Sequence, residues 1–209
     1  MCPACQRQLF VVCPPHCTTC GHPYYGETGI NRRCQHCEAL EPEFGEGKTA
    51  ILLKGPGRSL VHALKYHQGL HVLEDIAAIM TLTPGYAEYL HGAVLVPVPL
   101  HAKKLRRRRY NQSRLLADCA VQATAGRARV EELLCRVLHT ESQTHYDREA
   151  RQRNLKNAFA LAPGATINPA QRYVLVDDVF TTGSTLNACA TVLRRGGALN
   201  LDVVTFGHG

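Results

Sequence analysis

Tryptophan is absent from the chain, and aromatic residues make up 6% of it. Proteins that grip single-stranded nucleic acid along a row of stacked bases need more rings than that, so a dedicated stacking platform is disfavoured. Long hydrophobic runs are also missing. Stretches such as Ala93 to Leu100 fall far short of the about 20 apolar residues that a membrane span requires. The N-terminus opens on cysteines and carries no signal peptide, so a soluble, cytoplasmic protein is expected. Two phosphate-binding signatures are lacking. Without G-x-x-x-x-G-K there is no P-loop, and without G-x-G-x-x-G there is no dinucleotide fingerprint. Acids are scarce beside bases, 17 against 24, for a net charge of +7.

What is present centres on Tyr173 to Thr185, YVLVDDVFTTGST. Tyr173 to Val176 is an apolar run long enough for one buried strand. Asp177 and Asp178 follow, then Thr181, Thr182, Gly183, Ser184 and Thr185, small residues around a glycine. Leu186 to Arg195 reads as a helix that stops at Gly196-Gly197. The backbone N–H groups of such a loop, with the helix N-terminus behind them, can cradle a phosphate. The carboxylates fall at the strand's carboxyl end, where open α/β sheets bind ligands, and can accept hydrogen bonds from sugar hydroxyls. The device suits a molecule with both a phosphate and a diol, such as a ribose 5-phosphate. An ordinary capped helix would need one acid and no threonine pair.

The positive charge is clustered. Lys103 to Arg114 holds seven Lys or Arg and no acid, including Arg106 to Arg109 in a row. A solvated loop is the plain reading. Beside a phosphate site, the run instead favours polyanions such as pyrophosphate or nucleic acid.

Seven of the ten cysteines lie in the first 37 residues. Repeated C-x-x-C pairs argue for a metal rather than disulfides or redox chemistry. Cys17/Cys20 and Cys34/Cys37, thirteen residues apart, make a four-cysteine zinc pattern, and Gly21 suits the tight knuckle. With no open coordination position the site would be structural. Cys2, Cys5 and Cys13 can form a second or shared site with His16, His22 or His36. A module this short needs a metal to hold together.

Three regions are expected: a cysteine-rich zinc module over 1–40, a linker over 41–47, and an α/β domain over 48–209. In the last, Thr49 to Lys54, Ala93 to Pro97, part of Val130 to Leu138, Ala158 to Leu161 and Leu201 to Phe206 read as strands. Arg58 to His67, His71 to Met80 and Asn111 to Thr124 read as helices. Strands alternating with helices imply a doubly wound, mostly parallel sheet. The polar stretch from His139 to Arg153 is a long loop, and loops of that length are usually functional. Three segments should gather at the strand carboxyl ends: 97–109, 139–153 and 177–185.

The stretch from Tyr173 to Thr185 resembles the phosphoribosyl pyrophosphate (PRPP) motif of the type I phosphoribosyltransferases, with Phe180 bulkier than the usual aliphatic. The chain as a whole is similar to the competence protein F (ComF) family of phosphoribosyltransferase-like proteins. That resemblance rests on the cysteine pairs, Leu64-Lys65-Tyr66, Val96 to His101, Arg107 to Gln112, Gln143, Arg151 to Asn154 and the central motif. One departure is that relatives of this length often carry a further cysteine pair upstream, whereas Met1 directly precedes Cys2.

The resemblance implies a type I phosphoribosyltransferase fold with a PRPP site made of three loops. Residues 177–185 would hold the 5-phosphate and ribose hydroxyls. Lys103, Lys104, Arg107 and Arg108 would meet the pyrophosphate, and Gln143, Arg148 and Arg151 would belong to a lid that excludes water. Magnesium would accompany PRPP, and an unidentified acceptor would displace its pyrophosphate. No general base stands out. A second class stays open, a non-catalytic protein of DNA uptake whose basic segment meets single-stranded DNA and whose zinc module docks a helicase-type partner. A PRPP-sensing regulator would keep the site and need no acceptor.

Overall fold

A computed structural model describes residues 1–24, 26, 29–66, 69–137 and 157–209. Two single helical turns, α1 (Pro3–Gln6) and α2 (Gln35–Glu38), lie in the cysteine-rich region. Then come β1 (Gly47–Leu52), α3 (Gly55–Tyr66), α4 (Leu73–Leu82), α5 (Tyr86–Tyr89), β2 (Val94–Pro97), α6 (Ala102–Arg108), α7 (Gln112–Ala123), β3 (Arg129–Val130), β4 (Leu134–Arg136), β5 (Phe159–Leu161), β6 (Arg172–Phe180), α8 (Ser184–Arg195) and β7 (Asn200–His208).

Five strands form one parallel sheet in the order β1-β7-β6-β2-β3, while β4 and β5 pair antiparallel beside it. The sheet is buried on both faces, as the apolar runs require. Alternation within each strand sorts the side chains. Val174, Val176, Val204, Phe206 and Leu95 pack with Leu64, Ile76, Met80 and Leu116 of α3, α4 and α7. Tyr173, Leu175, Leu201, Val203, Val94 and Val96 face the other way, onto Leu186, Cys189 and Leu193 of α8. Each fully buried side chain of this kind contributes about 1.5–3 kcal/mol. The expected doubly wound α/β sheet with an N-terminal cysteine module is what the structure shows.

Three local expectations are corrected. The strand opening at Tyr173 does not stop at Val176. β7 runs beside it as far as His208, pairing Asp177 with Thr205 and Phe180 with His208, so the acidic pair sits within the strand. The basic run is not a loop, because Ala102–Arg108 is helical and ends at Arg109 in the left-handed region, φ 69°. The stretch 41–47 is tied down rather than free. Phe44 is buried, the Gly45 N–H donates to the Leu201 carbonyl and β1 begins at Gly47.

The cysteine region also shares the core of the domain. Cys17, Cys20, Cys37 and Leu40 pack in one cluster with Phe180, Leu186 and Leu193. Among the described residues no helix is long and apolar enough to cross a membrane.

Candidate functional site

At the carboxyl ends of β6 and β2 lies a polar cleft of about 250 Å³. Its floor is the acidic pair. Asp178 is 5% exposed and pairs with Lys65 Nζ at 2.9 Å. Its Oδ2 has no hydrogen-bond partner among the described residues. Asp177 Oδ1 accepts from Ser113 Oγ at 3.0 Å and from the Asp178 N–H at 2.8 Å. Burial, then repulsion from Asp178, pushes the Asp177 carboxyl up to about 7.

Cations wall the cleft: Lys65, Lys104, Arg108 and Arg136. Burial first, and the neighbouring charges Arg136, Arg108, Arg107 and Lys65 next, lower the Lys104 pKa. A dense positive field faces two buried carboxylates, which suits a ligand that is anionic at one end and rich in hydroxyls, or metal-bridged, at the other.

Helical geometry explains which basic residues arrive. Lys104 and Arg108 are four apart in α6 and share the face that lines the cleft. Lys103 and Arg107 sit one position back and are exposed. Two further contacts fix this wall. Asn111 caps α7 by accepting from the Ser113 N–H at 3.1 Å, and its Nδ2 donates to the Val98 carbonyl at 3.0 Å. The Tyr110 hydroxyl donates to the Leu64 carbonyl, beside Lys65.

The loop between β6 and α8 borders the cleft through Thr185. Gly183 has φ +73°, and a Cβ there would meet Leu40 Cδ2 at 2.7 Å and Phe180 Cζ at 2.7 Å, so glycine is required. Thr182 Oγ1 and Ser184 Oγ lie 3.0 Å apart at the start of α8. His36 Nε2 lies 3.3 Å from the Thr182 carbonyl. The cysteine region therefore buttresses the candidate phosphate loop from behind.

Sequence reasoning placed Asp177, Asp178, Thr185, Lys104 and Arg108 at one site, and the structure brings them together there. Thr181 lines a different cleft, next to Cys34 and His208. Gln143, Arg148 and Arg151 lie outside the described residues. The base of their segment is visible, since the Val137 N–H donates to the Ala158 carbonyl at 2.9 Å as a continuation of the β4–β5 pairing. Lys65, Ser113 and Arg136 were not singled out as site residues. The Leu64-Lys65-Tyr66 triplet was noted without a role. Ser113 lies in the first turn of α7 beside the quoted Asn111-Gln112 pair, and Arg136 carried no signal.

Cys17, Cys20, Cys34 and Cys37 offer four sulfurs that all lie within 4.8 Å of one another, and three of the four are buried. Among the described residues this is the one such group, and Cys2, Cys5 and Cys13 are not part of it. Four soft thiols fit a tetrahedral ion with no open position. The backbone N–H groups of Thr19 and Cys34 donate to Cys17 Sγ at 3.4 and 3.3 Å. Hydrogen bonds from Cys20 and Cys37 hold the Cys17 thiol far below its usual range and push those two partners up. A lone set of buried thiols thus tolerates few charges, and an ion is what would let all four ionise.

A parallel α/β sheet with a cation-lined acidic cleft at its carboxyl edge and four clustered thiols packed beside it defines an α/β protein whose N-terminal cysteine module could hold a metal ion. The chain is 31% identical over 209 residues to Competence protein F of Haemophilus influenzae, covering 97% of this chain and 88% of that protein. It is 32% identical over 209 residues to DNA utilization protein YhgH of Salmonella typhi, covering 97% and 86%. Competence protein ComFC of Bacillus subtilis is 19% identical, with 98% and 82% covered. The chain belongs to the competence protein F family. No family model matches it. Among solved structures it is similar to a hypoxanthine phosphoribosyltransferase from Staphylococcus aureus, with a TM-score of 0.39, 17% identity, and 64% and 62% of the two chains covered.

Proposed function

We propose that the chain binds PRPP with magnesium in the cleft between β6 and α6 and that an acceptor displaces the pyrophosphate. One observation carries this reading. Asp178 is buried with an unpartnered Oδ2 beside a raised Asp177, opposite Lys104 and Arg108. A buried acidic pair left incompletely satisfied calls for a ligand with donors or a cation. The ribose hydroxyls would donate to the pair, and the 5-phosphate would lie on Thr182 to Thr185 at the start of α8. Lys104 and Arg108, with Arg136, would take the charge that grows on the departing pyrophosphate. Asp177 and Asp178 are hard oxygen donors that would hold magnesium, and the ion would supply charge neutralisation for the departing pyrophosphate. Gln143, Arg148 and Arg151 would close over the sugar. The ion in the four-thiol site is zinc in this reading, and its role is structural.

The test is calorimetric titration of PRPP with magnesium into zinc-loaded protein, beside ribose 5-phosphate and short single-stranded DNA. Saturable PRPP binding that disappears in the Asp177→Ala/Asp178→Ala double variant supports the site. Retained binding in that variant removes the ribose role.

A second reading is favoured by one specific feature. Lys103, Arg106, Arg107 and Arg109 are exposed and are not among the residues lining the cleft, and relatives are named for competence and DNA utilization. In that reading the outer face of α6 meets single-stranded DNA and the module docks a helicase-type partner. Absent PRPP binding with salt-sensitive DNA binding would favour it.

A further inference from the structure

We propose that Lys65 is the resident counterion of the acidic pair, keeping free divalent metal off Asp178 until an anionic ligand draws the ammonium away. This rests on the PRPP reading and adds to it the order in which the cleft fills. The two carboxylates are not equally reachable. Asp177 is half-buried, whereas Asp178 is buried. Of the Asp178 oxygens, Oδ2 is buried without a partner among the described residues, and Oδ1 lies 2.9 Å from Lys65 Nζ. One oxygen is closed off by the protein and the other by the ammonium. A ligand entering from the cleft reaches Asp178 only after Lys65 moves.

The surroundings of Lys65 are fixed, and its side chain is free to turn. It lies in the last turn of α3. On one side of it, the Leu64 carbonyl accepts from the Tyr110 hydroxyl. On the other, the Tyr66 ring lies 5.4 Å from the Arg108 guanidinium and 4.8 Å from the His62 ring. Both chain neighbours are therefore held, while the ammonium ends a flexible four-carbon stem whose side chain is 23% exposed. A swing of that stem stays inside the cleft, which Lys65 lines together with Lys104 and Arg108.

Charge decides what triggers the swing. Lys65, Lys104, Arg108 and Arg136 outnumber Asp177 and Asp178 in the lining, so the empty cleft is positive even with both acids ionised. A bare divalent cation meets that repulsion and must also displace an ammonium from its carboxylate. A polyanion is attracted by the same field and offers the ammonium new oxygen partners beside Lys104 and Arg108. Once Lys65 has turned to the anion, Asp178 is a buried carboxylate without its counterion. It then accepts readily from a hydroxyl or holds a hard cation. Entry of metal is thereby made conditional on the anion.

Full-length zinc-loaded protein is titrated with manganese, a paramagnetic stand-in for magnesium, and the free ion is read by electron paramagnetic resonance. Inorganic pyrophosphate is titrated separately by calorimetry with no divalent ion added. Wild type, Lys65→Met and Lys65→Arg are compared in both. Lys65→Met should bind manganese about tenfold or more tightly than wild type and pyrophosphate about tenfold more weakly. The gained manganese site should vanish in Lys65→Met/Asp178→Asn. Lys65→Arg, which restores the charge, should stay within about threefold of wild type in both titrations. A merely structural ion pair would move both affinities the same way or neither, so opposite shifts are the signature. Unchanged manganese affinity in Lys65→Met overturns the proposal. So does unchanged pyrophosphate affinity, or a Lys65→Arg variant that behaves like Lys65→Met. Thermal melts and zinc content show which variants are folded, and if Lys65→Met is not, Lys65→Gln is held to the same criteria. If PRPP fails to bind wild type, the acidic-cleft reading falls on its own, and the manganese and pyrophosphate titrations, which contain no PRPP, still decide what Lys65 does.

Discussion

Replacing Asp177 by asparagine should make the protein less sensitive to alkaline pH. In the fold, burial and then Asp178 push the Asp177 carboxyl up to about 7, against an ordinary value of 3.8. A carboxyl whose folded pKa is raised gives stability that is fully present below its unfolded pKa. That stability drains away as pH climbs through the folded value. Three units at about 1.4 kcal/mol each set a ceiling of about 4 kcal/mol lost by pH 8. Most of it has gone by pH 6, and about 1.4 kcal/mol remains to be lost between pH 6 and 8, where metal thiolates stay loaded. Asparagine keeps an oxygen to accept from Ser113 and the Asp178 N–H but cannot ionise, so its contribution is flat. The assay is urea unfolding followed by circular dichroism at pH 6, 7 and 8 for wild type and Asp177→Asn. The stability difference should move in favour of the variant by about 1 kcal/mol across that range. Parallel pH profiles would refute the claim that Asp177 is held partly protonated.

Gly183→Ala should lose about 1–3 kcal/mol of stability and weaken PRPP binding at least about tenfold, because both the left-handed backbone and the space against Leu40 and Phe180 are denied it; thermal melts and calorimetry check this. Cys17→Ser should abolish stoichiometric zinc by elemental analysis and weaken PRPP binding as well, since α2 and Leu40 brace the phosphate loop. Lys104→Ala or Arg108→Ala should weaken PRPP binding about tenfold. Lys103→Ala/Arg107→Ala should instead lower the salt slope of single-stranded DNA binding by about 1–2, read from fluorescence anisotropy.

The motif from Tyr173 to Thr185 was legible because a buried run, two acids and a small-residue loop each have one physical use at that spacing. The four thiols were legible for the same reason. The length of β6 was not, since its last residues depend on pairing with β7, which is distant in sequence. Nor was the division of the arginine run into inward Arg108 and outward Arg107, which requires knowing that α6 is helical and which face it turns in. Ser113 and Arg136 reach Asp177 and the cleft from α7 and β4; Ser113 has only its neighbours Asn111 and Gln112 to mark it beforehand, and Arg136 has nothing. The weld between module and domain was equally hidden. Glycine, proline and glutamate over 41–47 read as a tether, whereas Phe44 fills the core and Glu43 accepts from Arg194 Nε at 2.8 Å.

The first residues of the chain have a further consequence. β1 is an outer strand of the sheet. Its open side is closed by residues 10–12, with the Val12 N–H donating to the Ala50 carbonyl and the Leu52 N–H to the Phe10 carbonyl, both at 2.9 Å. An uncovered strand of this kind is a template for another chain. The segment before Cys17 thus works as a selvedge, finishing the weave so that the sheet does not fray into its neighbours. Cutting the chain ahead of β1 to isolate the cleft-bearing half would strip that border and the contacts of His36 and Leu40 with the 181–185 loop in the same stroke.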